Sequence, residues 1–181
     1  MGQICQTASV KLILGIISSG ENLISQALDK LSTSWGEADL LSPIIPFDYT
    51  EYYKAEMGTD LLRQFVSFER LIKPQNLASC KVFSNETELY FAGKGNQRKI
   101  NLDPGYLDES KLVLASTKNF AQRIYLDQGI FAEVTLQFKR RCGWQDLPWT
   151  YPDYRLAATK DFLSEVRLKY RQQIKDLENF W

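Results

Sequence analysis

The stretch Val10-Lys11-Leu12-Ile13-Leu14-Gly15-Ile16-Ile17 is apolar at nearly every position. Such a run predicts a central strand covered on both faces, because a half-exposed strand would alternate. Ser18-Ser19-Gly20 ends it, and Leu23, Ile24, Ala27, Leu28 and Leu31 then recur at helical spacing over residues 21–33. A second strand is predicted over residues 38–45, closed by Pro43 and Pro46, followed by an aromatic connection over residues 47–57. Residues 61–72 alternate and read as a strand. Pro74 suits the first turn of a helix over residues 75–91, with Leu77, Cys80, Phe83, Thr87 and Tyr90 facing inward and Gly93-Lys94-Gly95-Asn96 stopping it. Strands are predicted over residues 98–102, 111–116, 122–126 and 130–138. Asp103-Pro104-Gly105 and Asp127-Gln128-Gly129 read as turns, the second a tight antiparallel hairpin. Asp153 is placed to cap a final helix whose stripe is Leu156, Phe162, Leu163, Val166, Tyr170, Ile174 and Leu177.

The element order strand, helix, strand, strand, helix, strand fits an α+β fold with a ferredoxin-like core. Further strands would extend a mainly antiparallel sheet. The helices would cover one face, and a C-terminal helix over residues 156–179 would pack on part of the sheet. A doubly wound parallel sheet fits less well, because the middle of the chain has no crossover helices. The 181 residues suit one domain, 1–181.

Period-two alternation sorts residues 98–138 into two faces. Ile130, Ala132, Val134, Leu136 and Phe138 fall on one side with Ile124 and Leu126; Glu133, Thr135 and Gln137 fall on the other with Arg123 and Tyr125. Asn101 and Asp103 lie opposite Ile100 and Leu102. The polar face can therefore gather Asn101, Asp103, Arg123, Tyr125, Glu133 and Thr135. Arg123 suits a carboxylate or phosphate clamp through its planar fork. Asp103 or Glu133 suits a base or a hard cation such as magnesium. The competing reading is a plain cross-strand Arg123–Glu133 ion pair. Lys111 and Lys118 add charge near a sheet end, and two aromatic loops, one holding Tyr49, Tyr52 and Tyr53 and the other Trp149, Tyr151 and Tyr154, suit ligand walls or ordinary lids.

Composition removes several chemistries. There is no histidine, so no Ser/His/Asp or Cys/His catalytic arrangement can form. Cys5, Cys80 and Cys142 are odd in number and widely spaced, which argues for reduced thiols and against a zinc ribbon. Cys142, beside Lys139-Arg140-Arg141, could be activated or incidental. Lys plus Arg and Asp plus Glu are 22 each, so nothing pulls the chain toward nucleic acid, despite that basic triplet. The first strand is too short to span a membrane, and no basic signal segment precedes it; the expectation is a cytoplasmic protein. Gly15 and Gly20 have the spacing of a phosphate-binding loop, but Glu21 and Asn22 stand where that loop needs Lys and Ser or Thr.

A family resemblance rests on VKLILG (residues 10–15), TEYYKAEMG (50–58), RQFVSFERLI (63–72), INLDPGY (100–106), KLVLASTKN (111–119), RIYLDQGIFAEVTL (123–136) and PWTYPDY (148–154). With these motifs the chain resembles an uncharacterised prokaryotic domain-of-unknown-function family, number 4416, over about residues 10–155. The resemblance implies no established activity. It implies a histidine in many relatives where this chain has Gln122, so any role of that histidine is lost here. It also brings a GTP-binding label, to which the defective glycine loop lends nothing.

The leading expectation is therefore a small domain binding an anionic or nucleotide-like molecule on the polar sheet face, through Arg123, Glu133, Asp103, Lys111, Lys118, Tyr125, Tyr53 and Trp149. The alternatives are a magnesium-dependent hydrolase or transferase using Asp103 and Glu133, and an interaction module that forms a homo-oligomer.

Overall fold

The computed structural model of the chain describes residues 2–4 and 7–178. Cys5 and residue 179, the expected end of the last helix, lie outside the described residues. The chain opens with β1 (Val10–Ser18), buried along its whole length, and α1 (Glu21–Trp35). β2 (Ala38–Leu41), β3 (Ile45–Phe47), the single turn α2 (Lys54–Met57) and β4 (Leu61–Ile72) follow. Next come α3 (Leu77–Tyr90), β5 (Ile100–Leu107), β6 (Lys111–Ser116), β7 (Ile124–Asp127), β8 (Ile130–Lys139) and β9 (Gly143–Asp146). The single turn α4 (Pro152–Arg155) leads into α5 (Ala157–Glu178).

The described strands form one nine-stranded sheet whose main path runs β2-β4-β1-β5-β6-β8-β7. Every pair is antiparallel. β3 lies along the same edge of β4 as β2, and β9 along the same edge of β8 as β7. The alternation of β1 explains the layering. Leu12, Leu14 and Ile16 pack against Ile24, Ala27 and Leu31 of α1 and Cys80 of α3. Ile13, with Phe65 of β4, packs against Phe162, Leu163 and Val166 of α5. The fold is thus α+β with helices on both faces. α1 and α3 share one face, and α5, whose face the sequence left open, carries its own apolar stripe and covers the opposite one.

Several local expectations also need correction. The strand over residues 38–45 is broken into β2 and β3, and Pro46 sits inside the edge strand β3, where a missing N–H can face away from the partner. Tyr90 is exposed rather than inward, while Lys81 and Ser84 of the same helix are buried. Residues 143–146, to which the sequence pattern assigns no element, form β9. On β8 a register shift opposite Leu112 and Val113 leaves Thr135 as an extra residue. Ile130, Ala132 and Val134 therefore face α3, while Leu136 and Phe138 join Trp144 on the α5 side. Ile124 and Leu126 of edge strand β7 are exposed and not part of the apolar face. Asp153 lies inside α4 rather than capping the last helix.

The largest correction concerns Asp103-Pro104-Gly105. It is no turn: all three residues lie within β5, paired with Gly15, Leu14 and Ile13. β5 follows β1 along its whole length, but it pairs with β6 only from Gly105↔Leu114 to Leu107↔Leu112. β6 meanwhile stays with β8 as far as Ser116. The sheet therefore forks, with residues 100–104 on one prong and Ala115 and Ser116 on the other. Pro104 marks the branch point, since it has no N–H to offer a neighbour. Gly105 marks where the strands rejoin, because a Cβ there would stand 2.5 Å from the Val113 carbonyl oxygen.

Candidate functional site

The fork leaves the amide and carbonyl of Leu102 without a strand partner, a costly state for buried backbone. Helix α3 supplies the replacement. Leu102 N–H donates to Glu88 Oε1 at 2.7 Å, and the Leu102 carbonyl accepts from Lys81 Nζ at 2.7 Å and Ser84 Oγ at 3.2 Å. Leu77 and Ala78 pack on β6 and β8 while Cys80 packs on the β1 side, so α3 bridges both prongs. Lys81, Asn85 and Glu88, at i, i+4 and i+7, line the opening on one helix face.

What remains between the prongs is a cavity of about 520 Å³. That is the size of a small-molecule site. Asn101 and Asp103 stand on one prong; Ser116, Lys118 and Glu133 stand on the other; Tyr49, Tyr52, Tyr53 and Tyr151 wall the mouth. A chain of polar contacts runs from rim to floor. Glu56 holds Arg98 (2.6 and 2.9 Å), Arg98 Nη1 donates to Asn101 Oδ1 (2.9 Å), Asn101 Nδ2 donates to Asp103 Oδ2 (2.6 Å), and Lys81 Nζ donates to Asp103 Oδ1 (3.1 Å).

Arg63 of β4 forms the floor and is 2% exposed. Its Nη2 pairs with Asp153 Oδ2 at 2.7 Å, but among the described residues Nε and Nη1 have no hydrogen-bond partner. The guanidinium stacks on the Phe65 ring, 4.2 Å from its centre. Gly15 makes room for this: a Cβ there would meet the Tyr154 hydroxyl at 2.7 Å and the Arg63 nitrogens at 2.8 and 3.0 Å. Gly15 is thus a strand glycine under a close contact rather than part of a phosphate loop.

Arg123, the expected clamp, is fully engaged within the protein. Its Nε donates to Glu133 Oε2 (2.7 Å), Nη1 to Ser116 Oγ (2.8 Å) and the Lys118 carbonyl (2.9 Å), and Nη2 to the Tyr151 hydroxyl (2.8 Å). It latches the Lys118 loop and the Tyr151 loop to β8. Gln122 donates to the same Glu133 oxygen at 3.2 Å. Lys118 reaches across the mouth and donates to the Tyr52 hydroxyl at 3.0 Å, a bond that holds the Tyr52 phenol below its usual pKa.

Of the eight side chains expected from the sequence to bind the ligand, Asp103, Glu133, Lys118 and Tyr53 line the cavity. Arg123 stands behind Glu133. Lys111 lies at the other end of β6, paired with Asp108. Tyr125 is on the exposed edge strand, packed against Phe131. Trp149 donates to the Val134 carbonyl at 2.8 Å and stands outside the cavity. The reading missed Arg63, Lys81, Glu88, Arg98 and Asp153. Signals existed for three of them: Arg63 is a charged residue in strand register with Phe65, and Lys81 and Glu88 form a polar stripe down a helix otherwise read as apolar.

The carboxyl groups of the cavity differ. Burial alone would raise Asp103, but the Lys81 and Arg63 charges, with hydrogen bonds from Lys81 and Asn101, hold it below the usual carboxylate range. Glu88 goes the other way. Burial pushes it up to about 7, and the Asp103 charge adds to the rise against the pull of Lys81, the Leu102 amide and Arg98. Burial, then the Asp103 charge, likewise raises the Tyr53 phenol. Among the described residues no three His, Cys, Asp or Glu side chains converge as a metal site would require, and no helix is long and apolar enough to cross a membrane.

No curated protein and no solved structure matches the chain. A family model described as Domain of unknown function (DUF4416) does match, over residues 8–170, a span that contains both prongs of the fork, helix α3 and the two aromatic loops. The chain is a member of the DUF4416 family.

Proposed function

We propose that the forked sheet binds a small anionic molecule. The observation that carries this reading is Arg63: a buried guanidinium on the cavity floor with two nitrogens, Nε and Nη1, unclaimed among the described residues. Unmade hydrogen bonds of a buried cation are costly, and an oxyanion would satisfy them. Lys118 supports the same reading, since among the described residues its side chain bonds a phenol and pairs with no carboxylate. The clamp assigned to Arg123 by sequence thus passes to Arg63 and Lys118, with Arg123 positioning Glu133 and Tyr151. Tyr49, Tyr52 and Tyr53 offer aromatic surface to the organic part of a ligand, including a nucleotide-like one.

The strand order supports reading the first half as a ferredoxin-like core: β5, β1, β4 and β2 lie side by side, with α1 and α3 on one face. We read the whole chain as one domain on that basis, and as cytoplasmic on the reduced-thiol argument.

The test is equilibrium binding of benzoate, phenyl phosphate and phenyl sulfate to the wild type and to Lys118→Ala. At least one should bind the wild type, and loss of a charge-assisted contact should weaken it about tenfold. No binding of any of the three, or equal binding by the variant, would contradict the proposal. The magnesium-dependent reading has less support, because Asp103 and Glu133 are each tied to a cationic side chain. A homo-oligomeric interaction module is favoured by one observation, the exposed apolar edge of β7 at Ile124 and Tyr125. It predicts a mass that rises with concentration and falls to monomer in Ile124→Lys.

A further inference from the structure

The cavity holds unclaimed acceptors as well as unclaimed donors, and this narrows the ligand. Glu88 has one oxygen bound to the Leu102 amide, while its other oxygen makes no hydrogen bond among the described residues and stands 3.9 Å from Arg98 Nη1. Lys81 Nζ is also 3.9 Å from Glu88, beyond hydrogen-bond reach. On the opposite prong Glu133 receives both of its hydrogen bonds on Oε2. A fully ionised oxyanion seated on Arg63 would therefore face carboxylates to which it could donate nothing. An oxyanion that carries a proton could donate one.

We propose that the ligand is a phosphate monoester and that Glu88 shares one proton with its phosphoryl group. This rests on the anion-binding reading above. A phosphate monoester has its second pKa at about 6, so near neutrality it can hold a proton, which a sulfate ester or a carboxylate does not. Glu88 is suited to the exchange, because burial has already raised its affinity for a proton. Lys81, Asp103 and Arg98 are the charged groups that bear on it, with Glu56 and Tyr53 beyond them. Lys81 lies on its own helix, Asp103 on β5, Arg98 precedes β5 and is held by Glu56 of α2, and Tyr53 precedes α2. Lys81 and Arg98 balance Asp103 and Glu56, so the proton on Glu88 is set mainly by burial and by what enters the cavity.

The test compares phenyl phosphate with phenyl sulfate, which are matched in shape, by titration calorimetry of the whole chain at pH 7 in two buffers of different ionisation enthalpy. The wild type should prefer the phosphate about tenfold or more, the value of one charge-assisted hydrogen bond, and should take up protons on binding it. Glu88→Gln should keep phosphate binding while losing the uptake and most of the preference. The wild-type proton count stands even if that variant fails to fold. Equal affinities, a preference for sulfate, or phosphate binding without proton uptake overturns this inference while leaving the anion site intact. Binding of neither ester overturns this inference, and overturns the anion site with it when benzoate fails to bind as well.

Discussion

The two ends of the β5–β6 strand pair show how one sheet can serve two purposes. At the closed end, Gly105, Tyr106 and Leu107 zip against Leu112, Val113 and Leu114. There Leu107, Leu112 and Leu136 pack with Trp144 beneath α5. At the open end the same β5 strand keeps β1 on one side and has no strand beside it on the other. Its backbone is bonded by Lys81, Ser84 and Glu88, and the space that β6 vacates is lined by charge. The closed end gains stability from apolar burial and ladder hydrogen bonds. The open end needs ionic side chains to hold its backbone, and it is left with buried donors that nothing satisfies. Where a fold keeps such unfinished hydrogen bonding next to a cavity, the deficit marks where a ligand would fit.

The sharpest way to break this contrast is at the Arg63–Asp153 pair. Asp153→Ala leaves the buried guanidinium without its carboxylate and should cost about 3–5 kcal/mol in urea denaturation. A smaller loss should come from the closed end. Leu107→Ala removes a fully buried side chain and should cost roughly 3 kcal/mol. It should leave the affinity for phenyl phosphate unchanged, because it lies on the zipped side of Gly105.

Smaller again is the effect of pH through Glu88. Its pKa is raised in the folded chain, so its contribution to stability is complete below the unfolded value, about 4.3, and is lost as pH rises through about 7. The wild type should lose about 2–3 kcal/mol of stability over that window, and Glu88→Gln should flatten the loss. Asp103 acts in the opposite sense and at lower pH, since its depressed pKa withdraws stability only as pH falls below the ordinary carboxylate range. The two groups can therefore be separated by denaturation at a series of pH values. The smallest stability effect, under about 0.5 kcal/mol, belongs to Lys118→Ala at the cavity mouth, where binding and not folding should change.

Apolar patterning made most elements legible. The uninterrupted run of β1, the helical spacing of α1 and the Asp127-Gln128-Gly129 hairpin all appear where expected, with Gln128 and Gly129 at positive φ as a tight turn requires. The fork was not legible. Pro-Gly reads locally as a turn, and only the choice of neighbours on either side of β5 turns it into a branch point. The bulge at Thr135 was hidden for a similar reason: alternation fixes two faces but cannot reveal where one extra residue exchanges them. Asp103 was placed by alternation from Asn101 although its strand was ended one residue too soon, and Glu133 by alternation that holds from Ile130 to Val134. Arg63 was missed because a charge in a strand reads as solvent-facing until the helix that covers it is known. Lys81 and Glu88 were missed because their helix was read only for its apolar stripe.

The most direct measurement is a crystal structure of the protein soaked with phenyl phosphate. The phosphoryl oxygens should lie about 3 Å from Arg63 Nε or Nη1 and from Lys118 Nζ, between the prongs of the open fork. Phosphate bound elsewhere, or residues 100–104 of β5 zipped directly onto β6, would contradict the claim that the break in the sheet is a binding site.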